Sequence, residues 1–410
     1  MSEHFGSEFF AGNRERLRQL FTGTAPIVLT ANGLLQKSAD EAFPFRQDSN
    51  FWYLTGCNDH DVVLVMDKDK EYMIVPQRDK MVEAFDGAID IAGLAARSGI
   101  QDIVHEKVGW RRLEARLKRV QHVATLAAKP SYIERAGMYT NPARARLIRN
   151  MKKINAEIEL LDLRPHLTRM RTIKQPAEVA ALKQAIDITI DTLKAVTRPS
   201  RLSKYGYEYE LEADIARGFR KRGAAGHAFS PIVAGGERAC TLHHIANDGA
   251  LTSDELVVLD VGAASSHYCA DITRTVSLSG KPSRRQEQVW SAVCEAQDYA
   301  YSLLKPGTVI ADYEKQMETF MGEKLRELGL IKSISREAVR TYFPHATSHF
   351  LGIDAHDTGD YERPLEPGTV ITVEPGIYIR DESIGIRIED DILITEDGIE
   401  NLSSRLPRGL

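Results

Sequence analysis

The stretch ELVVLDVGAASSHYCADITRTVSL, residues 255–278, ends one apolar run in a carboxylate and starts the next run from another. Leu256–Leu259 is a block of large aliphatic residues that stops at Asp260, and Asp271 is followed at once by Ile272–Val276, rich in β-branched residues. Such residues suit a pleated, buried surface, and GAASSH between them reads as a turn. Folded as a hairpin about residues 265–266, the two strands bring Asp260 and Asp271 opposite each other, or nearly so. The pattern recurs in TVITVEPGIYIRDESIGIRIEDDILIT, residues 369–395, where Glu374 ends an apolar strand, Glu389 lies in the next, and RDESIG turns near residues 381–382.

One acid beside a turn is ordinarily a solvated loop residue. Four, each set against Val, Ile and Leu, are different, because an unpaired buried charge costs roughly several kcal/mol. Like charges on facing strands also repel. One or two divalent cations remove both objections. Hard carboxylate oxygens with an imidazole suit Mn²⁺, Co²⁺ or Mg²⁺ better than a thiolate-rich zinc site does. Two ions roughly 3.5–4 Å apart would acidify a shared water enough to supply hydroxide near neutral pH. A third segment, PHATSHFLGIDAHD, residues 344–357, crowds His345, His349 and His356 with Asp354 and Asp357. Its histidines read equally as metal ligands, as proton-handling or oxyanion groups, or as an ordinary loop.

The whole chain sets limits on these readings. At 410 residues, 43% hydrophobic and 27% charged, it reads as a globular protein of two domains. A net charge of −5 leaves no basic surplus for phosphates, so no nucleic-acid partner is expected. No apolar run approaches about 18 residues, so no membrane span is expected. The start, MSEHFGSEFFAGNRERL, puts charges where a signal peptide needs an apolar centre. Cys57, Cys240, Cys269 and Cys294 form no CxxC pair and read as reduced thiols of a cytoplasmic protein.

Residues 1–172 alternate strand and helix patterns: PIVLT, a hairpin of DVVLVM and EYMIVP about DKDK, a helix over Trp110–Val120, then VATLAA. Asn141–Arg171 reads as one long polar helical stretch that ends this domain as a linker. From residue 173, Pro176 suits the first turn of a helix whose buried face carries Val179, Leu182, Ile186, Ile190 and Leu193. Ser283 and Gln286 form a capping box for a further helix, and Gly329 stops another over Ala311–Leu328. GKPSRR, residues 280–285, lacks the spacing of a phosphate loop and reads as a strand-to-helix turn.

In order, Asp260, Asp271, His349, Glu374 and Glu389 resemble the five ligands of the pita-bread metallopeptidases. Their surroundings match too: LDVG…YCADITRT, SHFLGIDAHD, VEPGIYI and GIRIEDD. Within that group the chain looks like the Xaa-Pro enzymes, aminopeptidase P and prolidase. TLHHIAN, residues 241–247, resembles the segment that carries a catalytic histidine, at His243, and Phe45–Met66 resembles the non-catalytic N-terminal domain. The resemblance implies an α/β N-terminal domain over residues 1–172 and an α+β pita-bread domain over 173–410. It implies two divalent ions, Mn²⁺ first with Co²⁺ or Zn²⁺ as alternatives, held by Asp260, Asp271, His349, Glu374 and Glu389, with Asp271 and Glu389 bridging. Glu374 doubles as proton shuttle, His243 and His356 contact the scissile carbonyl, His345 lines the proline pocket and Arg387 orients Asp260. His227, His244 and His267 match no such position and read as structural. Ala346 and Ala355 depart from the family pattern, which has glycine and commonly valine there, but neither removes a ligand.

The implied reaction is release of the N-terminal residue from peptides with proline second. A dipeptide-restricted prolidase is the alternative, and a non-catalytic peptide-binding relative a third reading. A homodimer or homotetramer is implied, with Trp52 read as a core residue in preference to one lent to a neighbouring subunit.

Overall fold

The computed structural model describes residues 4–127, 133 and 136–409. The chain divides into two units, Met1–Met170 and Arg171–Leu410.

In the first unit, apart from a small pair of Gln36–Ser38 with Glu41–Ala42, six of the described strands form a mixed sheet. Its order is Ile103–His105, Glu71–Val75, Val63–Met66, Ile27–Thr30, His122–Thr125 and Glu159–Asp162. Val63 pairs with Ile74 and Met66 with Glu71, the hairpin expected about DKDK. Leu113 and Leu117 of the helix Glu106–Leu117, with Leu147 and Met151 of Ala143–Ile154, pack on Val28, Val65, Ile74 and Val123 of the sheet. Trp52 is buried edge-on against Phe5 and Phe10, a core residue. The single helical stretch expected over Asn141–Arg171 is broken. Helices Ala143–Ile154 and Arg164–Thr172 flank the strand Glu159–Asp162, which pairs in parallel with His122–Thr125. Pairing with a sheet edge outweighs the weak helical preference of ELLD, a choice local sequence cannot make. The last residue of VATLAA and the four that follow it, residues 128–132, lie outside the described residues.

The second unit repeats helices followed by strands. Pro176–Val196 starts with proline in its first turn and a Gln175–Glu178 capping box, and buries Leu182, Ile186, Ile190 and Leu193. Ser283 and Gln286 cap Arg284–Leu303 as expected, and Ile310–Glu327 packs beside it. Leu256–Val261 lies between Ile232–Gly235 and Ile272–Ser277, all antiparallel. Val370–Val373 pairs with Asp390–Ile394, and Gly376–Ile379 with Ile384–Arg387. The two hairpins meet where the Glu389 amide donates to the Thr273 carbonyl at 3.0 Å and the Arg387 amide to Thr275 Oγ1 at 3.1 Å. Among the described residues no helix is long and apolar enough to cross a membrane.

Candidate metal centre

Strand register places the acids. In the second hairpin Val373 pairs with Asp390 and Gly376 with Arg387, so Glu374 and Glu389 face each other as read from the sequence. In the first hairpin Asp260 lies opposite Thr273, not Asp271. The turn is centred on Ser266 and His267, both with positive φ, and Ala264 pairs with Cys269. This register is two residues from the expected one. Two residues is one full repeat of a strand, so Asp271 stays on the face of Asp260. Gly262 permits the close crossing, since a Cβ there would lie 1.7 Å from the Ala270 carbonyl oxygen.

His349 joins the acids through a further pairing. The Thr372 amide donates to the His349 carbonyl at 2.9 Å and the Glu374 amide to that of Thr347 at 2.8 Å, laying residues 347–349 along the strand that ends in Glu374. Glu314 holds the same segment, accepting from the Thr347 and Ser348 amides at 2.9 and 3.0 Å. His349 Nδ1 donates to the Phe350 carbonyl at 3.1 Å, which leaves Nε2 as the lone-pair nitrogen. That Nε2 stands 3.4 Å from Glu374, 3.6 Å from Asp271 and 4.0 Å from Glu389. These separations are long for hydrogen bonds but suit donors arranged at about 2 Å around a shared cation.

The electrostatics point the same way. Burial, then the charges of Glu389 and Asp260, hold the Asp271 carboxyl well above its usual range. Burial and Glu389 do the same to Glu374, while burial and Asp260 push Glu389 up to about 8. Burial lowers His349 to about 3. Buried Asp260 Oδ1 has no hydrogen-bond partner among the described residues. A cluster that resists its own ionisation, with a neutral imidazole and an orphaned carboxylate oxygen, is one that a divalent cation fits.

The remaining residues form a chain of hydrogen bonds. Arg387 Nη2 donates to Asp260 Oδ2 at 2.5 Å and its Nη1 to the Tyr378 hydroxyl at 2.8 Å. Since His345 Nδ1 donates to the Ala346 carbonyl, Tyr378 donates its hydroxyl proton to His345 Nε2, at 2.8 Å. The His356 ring lies 4.1 Å from that of His349. His243, His345, His356, Arg387 and the five candidate ligands all line one cavity of about 630 Å³. Phe229, Ile232, Leu242, Ile245 and Tyr361 give that cavity apolar walls, and Ala346 and Ala355 line it too. His244 stands apart, on Glu208 at 2.9 Å.

Sequence reasoning missed Thr273, which donates to Glu389 Oε2 at 2.7 Å, and also Tyr378, Glu314 and Glu208. For Tyr378 a signal existed: it lies four residues after Glu374 in the same hairpin arm, an aromatic hydroxyl with the parity of that acid. Glu208 and Glu314 are helix residues far from any motif, and nothing local marks them.

A family model described as metallopeptidase family M24 matches residues 180–396, and one described as aminopeptidase P, N-terminal domain, matches residues 10–124. The Xaa-Pro aminopeptidase of Escherichia coli K12 is 34% identical, over 98% of this chain and 96% of its own. A variant of Escherichia coli aminopeptidase P solved in complex with substrate superposes with a TM-score of 0.85 at 31% identity, over 100% of this chain and 96% of that one. Proline aminopeptidase P II from Yersinia pestis gives 0.85 at 31% identity, over 98% and 97%. The resemblance first read in a handful of short motifs therefore extends over the whole fold, and this chain belongs to metallopeptidase family M24.

Proposed function

We propose that this chain is an Xaa-Pro aminopeptidase that removes the first residue of peptides with proline in second place. The observation that carries the reading is the gathering of five candidate ligands, three histidines and Arg387 around one apolar-walled cavity. In this reading Asp260, Asp271, His349, Glu374 and Glu389 would hold two divalent cations. When bound, the ions supply Lewis acidity and a water acidic enough to attack near neutral pH.

The chain's own groups do the rest. Arg387 neutralises and orients Asp260, and is itself fixed by Tyr378. Glu374 takes the attacking water's proton and passes it to the proline nitrogen, which has no hydrogen of its own. His243 and His356 donate to the scissile carbonyl oxygen as negative charge grows on it. The apolar wall and His345 accept the pyrrolidine ring, which has no N–H for a site to hydrogen-bond.

Full-length relatives named Xaa-Pro aminopeptidase support this reading over a dipeptide-restricted prolidase. Mn²⁺ as the native metal and a homodimer or homotetramer rest on the family resemblance. A cytoplasmic setting rests on that resemblance and on four free cysteines. The test compares Arg-Pro-Pro with Gly-Pro, each with Mn²⁺. Faster cleavage of the tripeptide is expected. Cleavage of Gly-Pro alone would make the enzyme a prolidase, and no cleavage of either would leave a peptide-binding protein.

A further inference from the structure

Glu208 opens the helix Glu208–Lys221, and its side chain is 0% exposed. Its two oxygens accept four hydrogen bonds. Oε1 takes the Gly235 amide at 2.8 Å and Arg238 Nε at 2.7 Å. Oε2 takes His244 Nε2 at 2.9 Å and the Gly249 amide at 2.8 Å. The donors lie at the end of a strand, in the short helix Gly236–Cys240, in the loop after it, and where that loop leaves. One carboxylate thus gathers both ends and the middle of residues 235–249.

The loop is built for this. Gly249 has no side chain because the Arg238 guanidinium lies over it, and a Cβ would meet Nε at 2.1 Å. Asn247, at φ +48°, accepts from the Val233 amide and donates to the Pro231 carbonyl and to Glu212. Between these ties sit two consecutive histidines with opposite fates. His244 is bound to Glu208, while His243 lines the metal-side cavity.

Glu208, His244 and Asp248 also lie close enough to hold an ion. Four N–H donors already occupy the Glu208 oxygens, however, and Asp248 is exposed. Burial alone would push Glu208 up, yet Arg238, Gly235, His244 and Gly249 hold it below the usual carboxyl range, so it needs no cation to stay ionised.

We propose that Glu208 is the positioning residue of His243: through His244, Arg238 and Gly249 it sets where the neighbouring imidazole stands over the reacting carbonyl. This rests on the aminopeptidase reading, in which His243 meets the developing oxyanion. Glu208 touches no substrate. A loop histidine displaced by a fraction of an ångström loses much of its hold on the transition state and little of its hold on the ground state.

The test is a double-mutant cycle on the full-length Mn²⁺-loaded enzyme with Arg-Pro-Pro. Glu208→Gln keeps the length of the side chain but turns an amide NH₂ against the N–H donors. It is expected to lower kcat by about ten- to a hundred-fold with KM little changed. In a His243→Ala background the same change should cost no more than about two-fold, because the residue it positions is gone. His244→Ala, which leaves three of the four donors in place, should show a smaller loss with the same dependence on His243, and serves if Glu208→Gln does not fold. Equal losses with and without His243 would overturn the positioning role while leaving the aminopeptidase reading intact. Wild-type turnover in His243→Ala alone would overturn the assignment of His243, and the proposal with it.

Discussion

Glu208 and Glu389 are both buried carboxylates with a histidine beside them, in the same unit of the protein, and their surroundings drive them in opposite directions. Glu208 is ringed by N–H donors and an arginine and is held below its usual range. Glu389 shares its space with Asp260, Asp271 and Glu374, has one hydroxyl donor in Thr273, and is pushed up to about 8. Burial is common to both. What differs is whether the protein itself supplies the compensating positive charge. Where it does, the acid is a structural tie. Where it sets a single arginine, Arg387, against four acids, they form a candidate site that a cation would complete.

The strongest test of this contrast is Asp271→Ala. Removing this proposed ligand should leave the fold in place, release metal as measured by elemental analysis, and cut Xaa-Pro hydrolysis by at least about a hundred-fold. A variant with wild-type metal content and turnover would erase the distinction. The counterpart, Glu208→Gln, should spare metal content but destabilise the fold by about 3 kcal/mol in denaturant unfolding, since it breaks a buried ionic network. Loss of metal there would break the comparison from the other side.

A subtler difference lies in pH. In chelated protein the folded Glu389 carboxyl keeps its proton up to about 8 against an ordinary 4.5. Between those values the unfolded chain has lost a proton that the folded chain retains. This contribution to stability is therefore complete below about 4.5 and is lost as pH rises through about 8. Glu208, held low, contributes the reverse: stability present above its ordinary value and lost as pH falls through its depressed one. Thermal midpoints in chelator should thus fall by roughly a few degrees from pH 5 to pH 8. Saturating Mn²⁺ should remove that fall, because ligand deprotonation then favours binding. The smallest effect belongs to Asp248→Ala. If the Glu208 group binds no ion, this exposed residue should change stability by less than about 0.5 kcal/mol and leave metal content unchanged.

The two acid-bearing hairpins show how much of the site was legible in advance. Glu374 and Glu389 face each other as the sequence pattern predicts, because the turn at Arg380–Glu382 sits where RDESIG signals it. For Asp260 and Asp271 the expected register is two residues out, because Ser266 and His267 take left-handed backbone conformations that a Ser-His pair signals far less clearly than Asn-Gly would. The error kept both acids on one face, so the site survived it. A one-residue slip would not have been forgiven.

Local sequence determined the candidate ligands, the strands that carry them and the caps of the helices behind them, since each depends on side-chain pattern over a few positions. Tertiary structure decided how neighbouring acids divide their work. In the run Glu389-Asp390-Asp391, Glu389 faces His349 and the other candidate ligands, Asp390 pairs with Arg274 at 2.6 Å and Asp391 accepts the Asp271 amide at 3.2 Å. The same holds for Glu208, whose donors lie 27–41 residues away, and for Arg387, 127 residues from Asp260. An acid's charge state depends on which donors reach it across the fold, and that is settled only when distant strands close on one another.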